Sequence, residues 1–304
     1  MPSEPRRRAL LASLAWSPLA FAALATPARA EIRRIPLREP GLFGTLFLPP
    51  HAAAQPAVVC LTGALGGLWE APAEALAAEG FAALALATHN APGLQERMRL
   101  LPLETVERGV MWLRRRVGPR RGCVVLRGWS RGAEMALLLA SLTSSVNGVL
   151  AYAPRCYVGM EQNKPNNHTD PMAAAAFTWR GAPAQGSVLP REMWQDRAHP
   201  TFEERFGIAV ERIRGPIMLV SGAADTGLSG TTASGSCAQA MRRLELLNGA
   251  YPRLHLDYPD AGHDIAAPPP YSGTAEGGGT PAGNAAAIAA SWPRSLEFLR
   301  AAAA

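Results

Sequence analysis

The chain has 304 residues, 48% of them hydrophobic and 18% charged, with a net charge of +6. That composition excludes a disordered or fibrous chain and fits one large α/β domain whose core needs no disulfide framework. Residues 1–30 hold four arginines against one glutamate, +3 of the +6; the other basic residues are nearly all scattered arginines without aromatic interleaving, which makes no case for nucleic acid as a partner.

The N-terminal thirty residues read as a targeting segment. Arg6-Arg7-Arg8 precedes an Ala/Leu-rich run over 9–25, and Ala28-Arg29-Ala30 supplies a small-x-small cleavage site before Glu31. The pattern predicts a secretory signal of twin-arginine type, cleaved after Ala30, and an exported, periplasmic or secreted protein. The apolar run is short and contains Pro18, which argues against a permanent membrane span.

From residue 31 a single domain is expected. Residues 32–37 and 44–48 read as a leading antiparallel pair. Continuous apolar runs at 57–61, 81–87, 123–126, 149–153, 217–220 and 254–258 each end in glycine or a polar turn. Strands apolar on both faces belong to a parallel sheet. Helical patterns fall between them at 71–79, 103–117, 131–142 and 282–299. Val106, Val110, Leu113 and Val117 keep helical spacing in the second, and Ile288, Trp292, Leu296 and Leu299 in the last. Alternating strand and helix predicts an α/β fold with helices on both faces of the sheet. Residues 154–212 are too long for a simple crossover and predict a lid-like insertion; 266–283 read as Pro/Gly-rich loop. Cys60 and Cys123 lie in apolar runs, whereas Cys156 and Cys237 fall in loop-like regions and could pair in an exported protein. There is no C-x-x-C, so no metal site is expected.

Residues 125–134 read VLRGWSRGAE and contain one G-x-S-x-G. The pattern alone is weak. A nucleophile elbow needs a strand before it, a helix after it and small residues at both glycine positions, and Ser130 has all three. A serine also needs a histidine base and an acid to orient it, in the chain order Ser, acid, His for this type of fold. Asp225 follows the strand at 217–220, and His263 follows the last strand. Both stand at the carboxyl edge, where ligands gather in open α/β sheets. Asp260 is the alternative acid and Asp257 lies within a strand. His255 alternates with Leu254 and Leu256 as a strand residue. His51, His168 and His199 read as loop or surface residues, as does His89, which also stands where it can line a pocket. The backbone N–H of Arg131 and that of Ala64 or Leu65, in the loop Thr62-Gly63-Ala64-Leu65-Gly66-Gly67, are the candidate oxyanion donors. That loop lacks the Lys-Ser/Thr of a phosphate-binding loop.

Five stretches carry a family resemblance: LTGALGGLWEAPAEALAAEGFAALALA (61–87), GWSRGAEMALLLAS (128–141), IAVERIRGPIMLVSGAAD (208–225), YPDAGHDI (258–265) and GGTPAGNAAAIAASWPRSLEFL (278–299). They resemble the C-terminal catalytic domain of acyl-CoA thioester hydrolases and bile acid-CoA:amino acid N-acyltransferases, in the α/β-hydrolase superfamily near the dienelactone hydrolases. The resemblance implies Ser130, Asp225 and His263 as a charge-relay triad acting on an acyl ester or thioester, without a cofactor. Animal members carry an additional N-terminal β-sandwich; with about twenty residues between the targeting segment and the catalytic domain, none is expected here. The transferases of the group use cysteine as nucleophile, so serine favours hydrolysis. Thr226-Gly227-Leu228-Ser229 departs from the tryptophan and serine that often follow the acid. CoA thioesters are cytoplasmic, which sets the implied substrate against the implied export. The alternatives are acyl transfer to an amine or alcohol, a dienelactone-hydrolase-like carboxylesterase, and a non-catalytic binding protein.

Overall fold

A computed structural model describes residues 31–50, 56–117, 122–158, 175–184, 207–226, 233–247, 249–271 and 274–302. The expected signal, most of the expected lid, and His51, His168 and His199 lie outside the described residues.

The leading residues form the antiparallel pair β1 (Arg33–Glu39) and β2 (Leu42–Leu48). The apolar runs then form β3 (Ala57–Leu61), β4 (Ala83–Ala87), β6 (Val124–Trp129), β7 (Gly148–Tyr152), β10 (Ile217–Gly222) and β11 (Arg253–Tyr258). These eight strands make one sheet in the order β1-β2-β4-β3-β6-β7-β10-β11. β2 runs against both its neighbours; every other pairing is parallel. β3, β4 and β7 are buried at every position, which is why they read as unbroken apolar runs.

Helix α1 (Ala71–Ala78) and helix α5 (Pro281–Ala301) cover one face, where Leu76, Ala287 and Leu299 pack on Val58, Leu150 and Val220. Helices α2 (Glu104–Val117), α3 (Arg131–Leu142) and α4 (Ala233–Leu247) cover the other, where Val110, Leu137 and Leu244 pack with Val59, Leu126 and Leu219. α5 begins where Thr280 accepts the Gly283 N–H at 2.9 Å, a side-chain N-cap. Among the described residues no helix is long and apolar enough to cross a membrane.

Three elements depart from the sequence reading. α4 was not expected, because Ser234-Gly235-Ser236 fills its first turn, although Ala233, Cys237, Ala240 and Leu244 keep helical spacing; Cys237 therefore sits on a helix and not in a loop. A small second sheet of β5 (Leu101–Pro102), β8 (Phe177–Trp179) and β9 (Ala182–Pro183) forms partly from the expected insertion. The expected loop at 266–283 contains two single-residue pairings, Asp225 with Gly278 and Ala261 with Gly279, and gives way to helix at Pro281.

Candidate active site

Ser130 follows β6 and stands at the N-cap of α3 with φ 55° and ψ −121°, a conformation rare for a residue with a side chain. Strand and helix cross so closely here that a Cβ at Gly128 would stand 2.3 Å from the Gly132 carbonyl, and one at Gly132 would stand 2.2 Å from the Thr62 carbonyl. Any other residue at either position would push the turn apart. The strained turn is held by hydrogen bonds on both sides. The Ser130 N–H donates to Tyr152 O at 2.9 Å, and Ser130 O accepts from Ala133 and Glu134.

The His263 imidazole meets Ser130 Oγ through Nε2 at 2.8 Å and Asp225 Oδ2 through Nδ1 at 2.8 Å. A carboxylate accepts only, so Nδ1 carries the proton and Nε2 presents its lone pair to the serine hydroxyl. Asp225 is buried and His263 nearly so. The structure thus brings together the three residues that the chain order nominated. His263 Nδ1 meets Asp225 and not Asp260, the alternative acid, whose backbone carbonyl accepts the Thr280 N–H at 3.1 Å.

The loops carrying Asp225 and His263 are tied together by a glycine run whose role was not read from the sequence. The Gly277 carbonyl accepts the Thr226 N–H at 2.8 Å and the His263 N–H at 3.2 Å, so one group spaces the two loops. Gly278, at φ 95°, lies so close that a Cβ would stand 2.1 Å from Ala224 O. Asn284 Oδ1 accepts the Gly262 N–H at 2.7 Å and fastens the His263 loop to α5. From below, β6 holds the same loop at two carbonyls. Trp129 Nε1–H donates to His263 O at 2.9 Å, and the buried Arg127 donates from Nη2 to Ala266 O. Arg127 lies 4.6 Å from the Tyr152 ring centroid, so an aromatic face takes the place of a carboxylate for this cation. An arginine in an otherwise apolar strand was the only available sequence signal for that contact.

The loop after β3 packs against Ser130: a Cβ at Gly63 would stand 3.3 Å from the serine Cβ. His89 and Asn90, beyond β4, hold this loop. His89 Nε2–H donates to Ala64 O at 2.9 Å, Asn90 Nδ2 donates to Leu65 O at 2.9 Å, and Gly67 N–H donates to His89 O at 2.9 Å. Since Nε2 donates, His89 Nδ1 accepts from Thr88 Oγ1 at 3.0 Å. His89 is therefore a buried support for the loop, and burial holds its imidazole below the ordinary histidine value. The side chain of Arg131 turns into the core, where it pairs with the fully buried Glu134 at 2.5 Å and with Met98 Sδ at 3.1 Å. This pair pins the first turn of α3, whose N-terminus carries the Arg131 N–H.

A cavity of about 580 Å³ adjoins this arrangement, bordered by Trp69, Trp129, Asp264, Pro268, Pro270 and Tyr271 among others. The Trp129 ring lies 5.5 Å from the His263 ring and 5.5 Å from that of Trp69. Asp264 is engaged by Tyr271 and Thr274, through hydroxyl donors at 2.9 and 2.8 Å.

The comparisons with known proteins fit this architecture. The family described as "BAAT / Acyl-CoA thioester hydrolase C terminal" matches residues 101–304. The bile acid-CoA:amino acid N-acyltransferase of Mus musculus is 32% identical over 250 residues, 79% of this chain and 56% of that protein. The peroxisomal succinyl-coenzyme A thioesterase of Mus musculus is 29% identical over 241 residues, 79% of this chain and 55% of that one. Acyl-coenzyme A thioesterase 1 of Homo sapiens is 38% identical over 119 residues, 39% of this chain and 28% of that protein. The matched region thus spans little more than half the length of the first two relatives, and less of the third. Among solved structures, a puromycin-hydrolyzing peptidase from Mycobacterium tuberculosis has a TM-score of 0.57 at 15% identity, covering 90% of this chain and 40% of that one. A Pyrococcus furiosus esterase has a TM-score of 0.53 at 16% identity, covering 89% and 91%. At such identities the likeness speaks for the fold alone. The chain belongs to the family formed by the C-terminal domain of bile acid-CoA:amino acid N-acyltransferases and acyl-CoA thioester hydrolases, built on the α/β-hydrolase fold.

Proposed function

We propose that the protein is a serine hydrolase of an acyl ester or thioester, with Ser130, His263 and Asp225 as its catalytic triad. The hydrogen-bonded chain from Ser130 Oγ through both imidazole nitrogens to Asp225 carries this reading. Ser130 Oγ attacks the acyl carbonyl as its proton passes to His263 Nε2. Asp225 holds the tautomer and stabilises the imidazolium that forms. The N–H of Arg131, at the start of α3, and that of Ala64 or Leu65 stabilise the oxyanion. The imidazolium then protonates the departing alkoxide or thiolate. Water, deprotonated by the same imidazole, attacks the acyl-serine; its breakdown releases the acid and restores the serine hydroxyl.

The apolar cavity beside Trp129 suits an uncharged part of the substrate. Among the described residues its border has one carboxylate, already engaged, and no Lys or Arg, so these residues offer nothing to a phosphate. The second reading is acyl transfer to an amine or alcohol, favoured by similarity to the N-acyltransferase; serine at the elbow weighs for water, because an oxygen ester of serine is readily hydrolysed. We also propose that residues 1–30 direct export, which sequencing the N-terminus of the protein isolated from cell fractions would test.

The functional reading is tested with a fluorophosphonate probe and a substrate panel of acyl-CoAs, nitrophenyl esters and lactones, each with and without an added amine. Labelling at Ser130, with free acid as product, is expected. Equal turnover by the native protein and by Ser130→Ala would overturn the mechanism, and an acylated amine as main product would favour transfer.

A further inference from the structure

Cys156 opens the insertion after β7, and its backbone is bonded in two directions. Its carbonyl accepts the Ile208 N–H at 2.9 Å, from the far end of that insertion. Its N–H donates to Ser236 Oγ at 2.8 Å, on the residue before Cys237. Cys237, in the first turns of α4, is fully buried and interacts with Cys156, itself buried in the same apolar core. Both cysteines are reduced in this structure. The two other thiols lie elsewhere: Cys60 in the middle of β3, and Cys123 before β6, where its thiol donates to Ala302 O at 3.1 Å.

We propose that Cys156 and Cys237 are joined by a disulfide in the protein folded under oxidising conditions. Cys156 and Cys237 are buried neighbours whose side chains rotate to a bond of roughly 2.0 Å, with the chain held by the Ser236 and Ile208 hydrogen bonds. The oxidant is a disulfide of small-molecule or protein origin. One cysteine thiolate attacks it to form a mixed disulfide, and the second cysteine displaces its thiol. Overall the pair loses two electrons and two protons, and the oxidant leaves as two thiols. The bond closes a loop holding residues 157–212 of the insertion and Asp225. It thereby fastens the foot of the insertion to the helix behind the acid, and removes loop entropy from the unfolded chain. Burial keeps the Cys237 thiol protonated in the native state. Exchange there is slow, so the bond forms during folding and is protected afterwards, as befits a structural link and not a switch.

The full chain, unfolded and reduced, is refolded in a glutathione/glutathione-disulfide buffer, then denatured and alkylated without reductant. Alkylation of Cys60 and Cys123 only, with a linked peptide spanning Cys156 and Cys237, is the expected result. Cys156→Ser should then leave Cys237 alkylated. The linked protein should unfold about 10 °C above its reduced form. Four alkylated cysteines after refolding, or a link through Cys60 or Cys123, would overturn the proposal. Equal midpoints for linked and reduced protein would overturn the structural role.

Discussion

Ser130, His263 and Asp225 at the sheet edge, and Ser221, His255 and Asp257 inside β10 and β11, are the same three residue types connected in different orders. In the first set the histidine is the middle member, donating from Nδ1 to the carboxylate and facing the serine with Nε2. In the second the serine is the middle member: Ser221 Oγ donates to Asp257 Oδ1 at 2.6 Å and lies 2.7 Å from His255 Nε2. A hydroxyl has one proton, and Ser221 has given it to the carboxylate; His255 Nε2 must therefore donate and has no lone pair there to act as base. The backbones differ as well. Ser130 is held at positive φ on a turn and keeps 9% of its surface, whereas Ser221 sits in a regular strand with none. Residue type and proximity do not make a nucleophile; proton order and access do.

The comparison can be broken most sharply at the serines. Ser130→Ala is expected to lower kcat by about 10⁵-fold or more, with loss of fluorophosphonate labelling. Ser221→Ala should keep kcat per folded molecule and instead lose about 1–3 kcal/mol of stability by urea unfolding, because Asp257 and His255 lose their shared partner. A Ser221→Ala enzyme as inactive as Ser130→Ala would defeat the distinction. The acids sharpen it next. Asp225→Asn should lower kcat by about 10⁴-fold through the wrong imidazole tautomer, while Asp257→Asn should change it by less than about threefold.

A smaller effect is expected in the cavity bordered by Trp69 and Trp129. Trp69→Ala should raise KM about tenfold for esters with bulky apolar groups and leave kcat nearly unchanged, since the ring contributes binding and not chemistry. A fall in kcat at constant KM would show that Trp69 acts through the position of Trp129.

The smallest expected effect concerns acid stability. Burial holds the imidazoles of His255 and His89 below the ordinary value. Below roughly pH 6.5 the unfolded chain takes up protons that the folded one refuses. Stability is then complete above that pH and declines as the pH falls towards the lowered folded values. The thermal midpoint should drop from about pH 6.5 to 5, and less so in His255→Gln; a flat profile in the native protein would contradict the buried neutral state.

The strands and most helices were legible because burial on two faces leaves unbroken apolar runs, and burial on one leaves a helical stripe. α3 runs Arg131–Leu142, as its pattern suggested. α4 was not legible, since Ser and Gly dominate its first turn and its burial comes from partners distant in sequence. Ser130, Asp225 and His263 could be nominated from chain order and strand ends. The glycines at 277–279 could not, because a Gly-rich loop looks alike whether it spans solvent or holds two loops together. Arg127 and His89 were equally opaque: each holds a backbone carbonyl that only folding brings near.

By itself the sequence determined the alternation of strand and helix, the elbow around Ser130, and the edge at which acid and base arrive, since all three follow from local burial pattern and turn sterics. Tertiary structure alone decided which acid meets His263, which histidine carries a usable lone pair, and that Cys156 and Cys237 are neighbours in the core. Those outcomes rest on hydrogen-bond direction and contact between segments tens of residues apart, which no local pattern encodes.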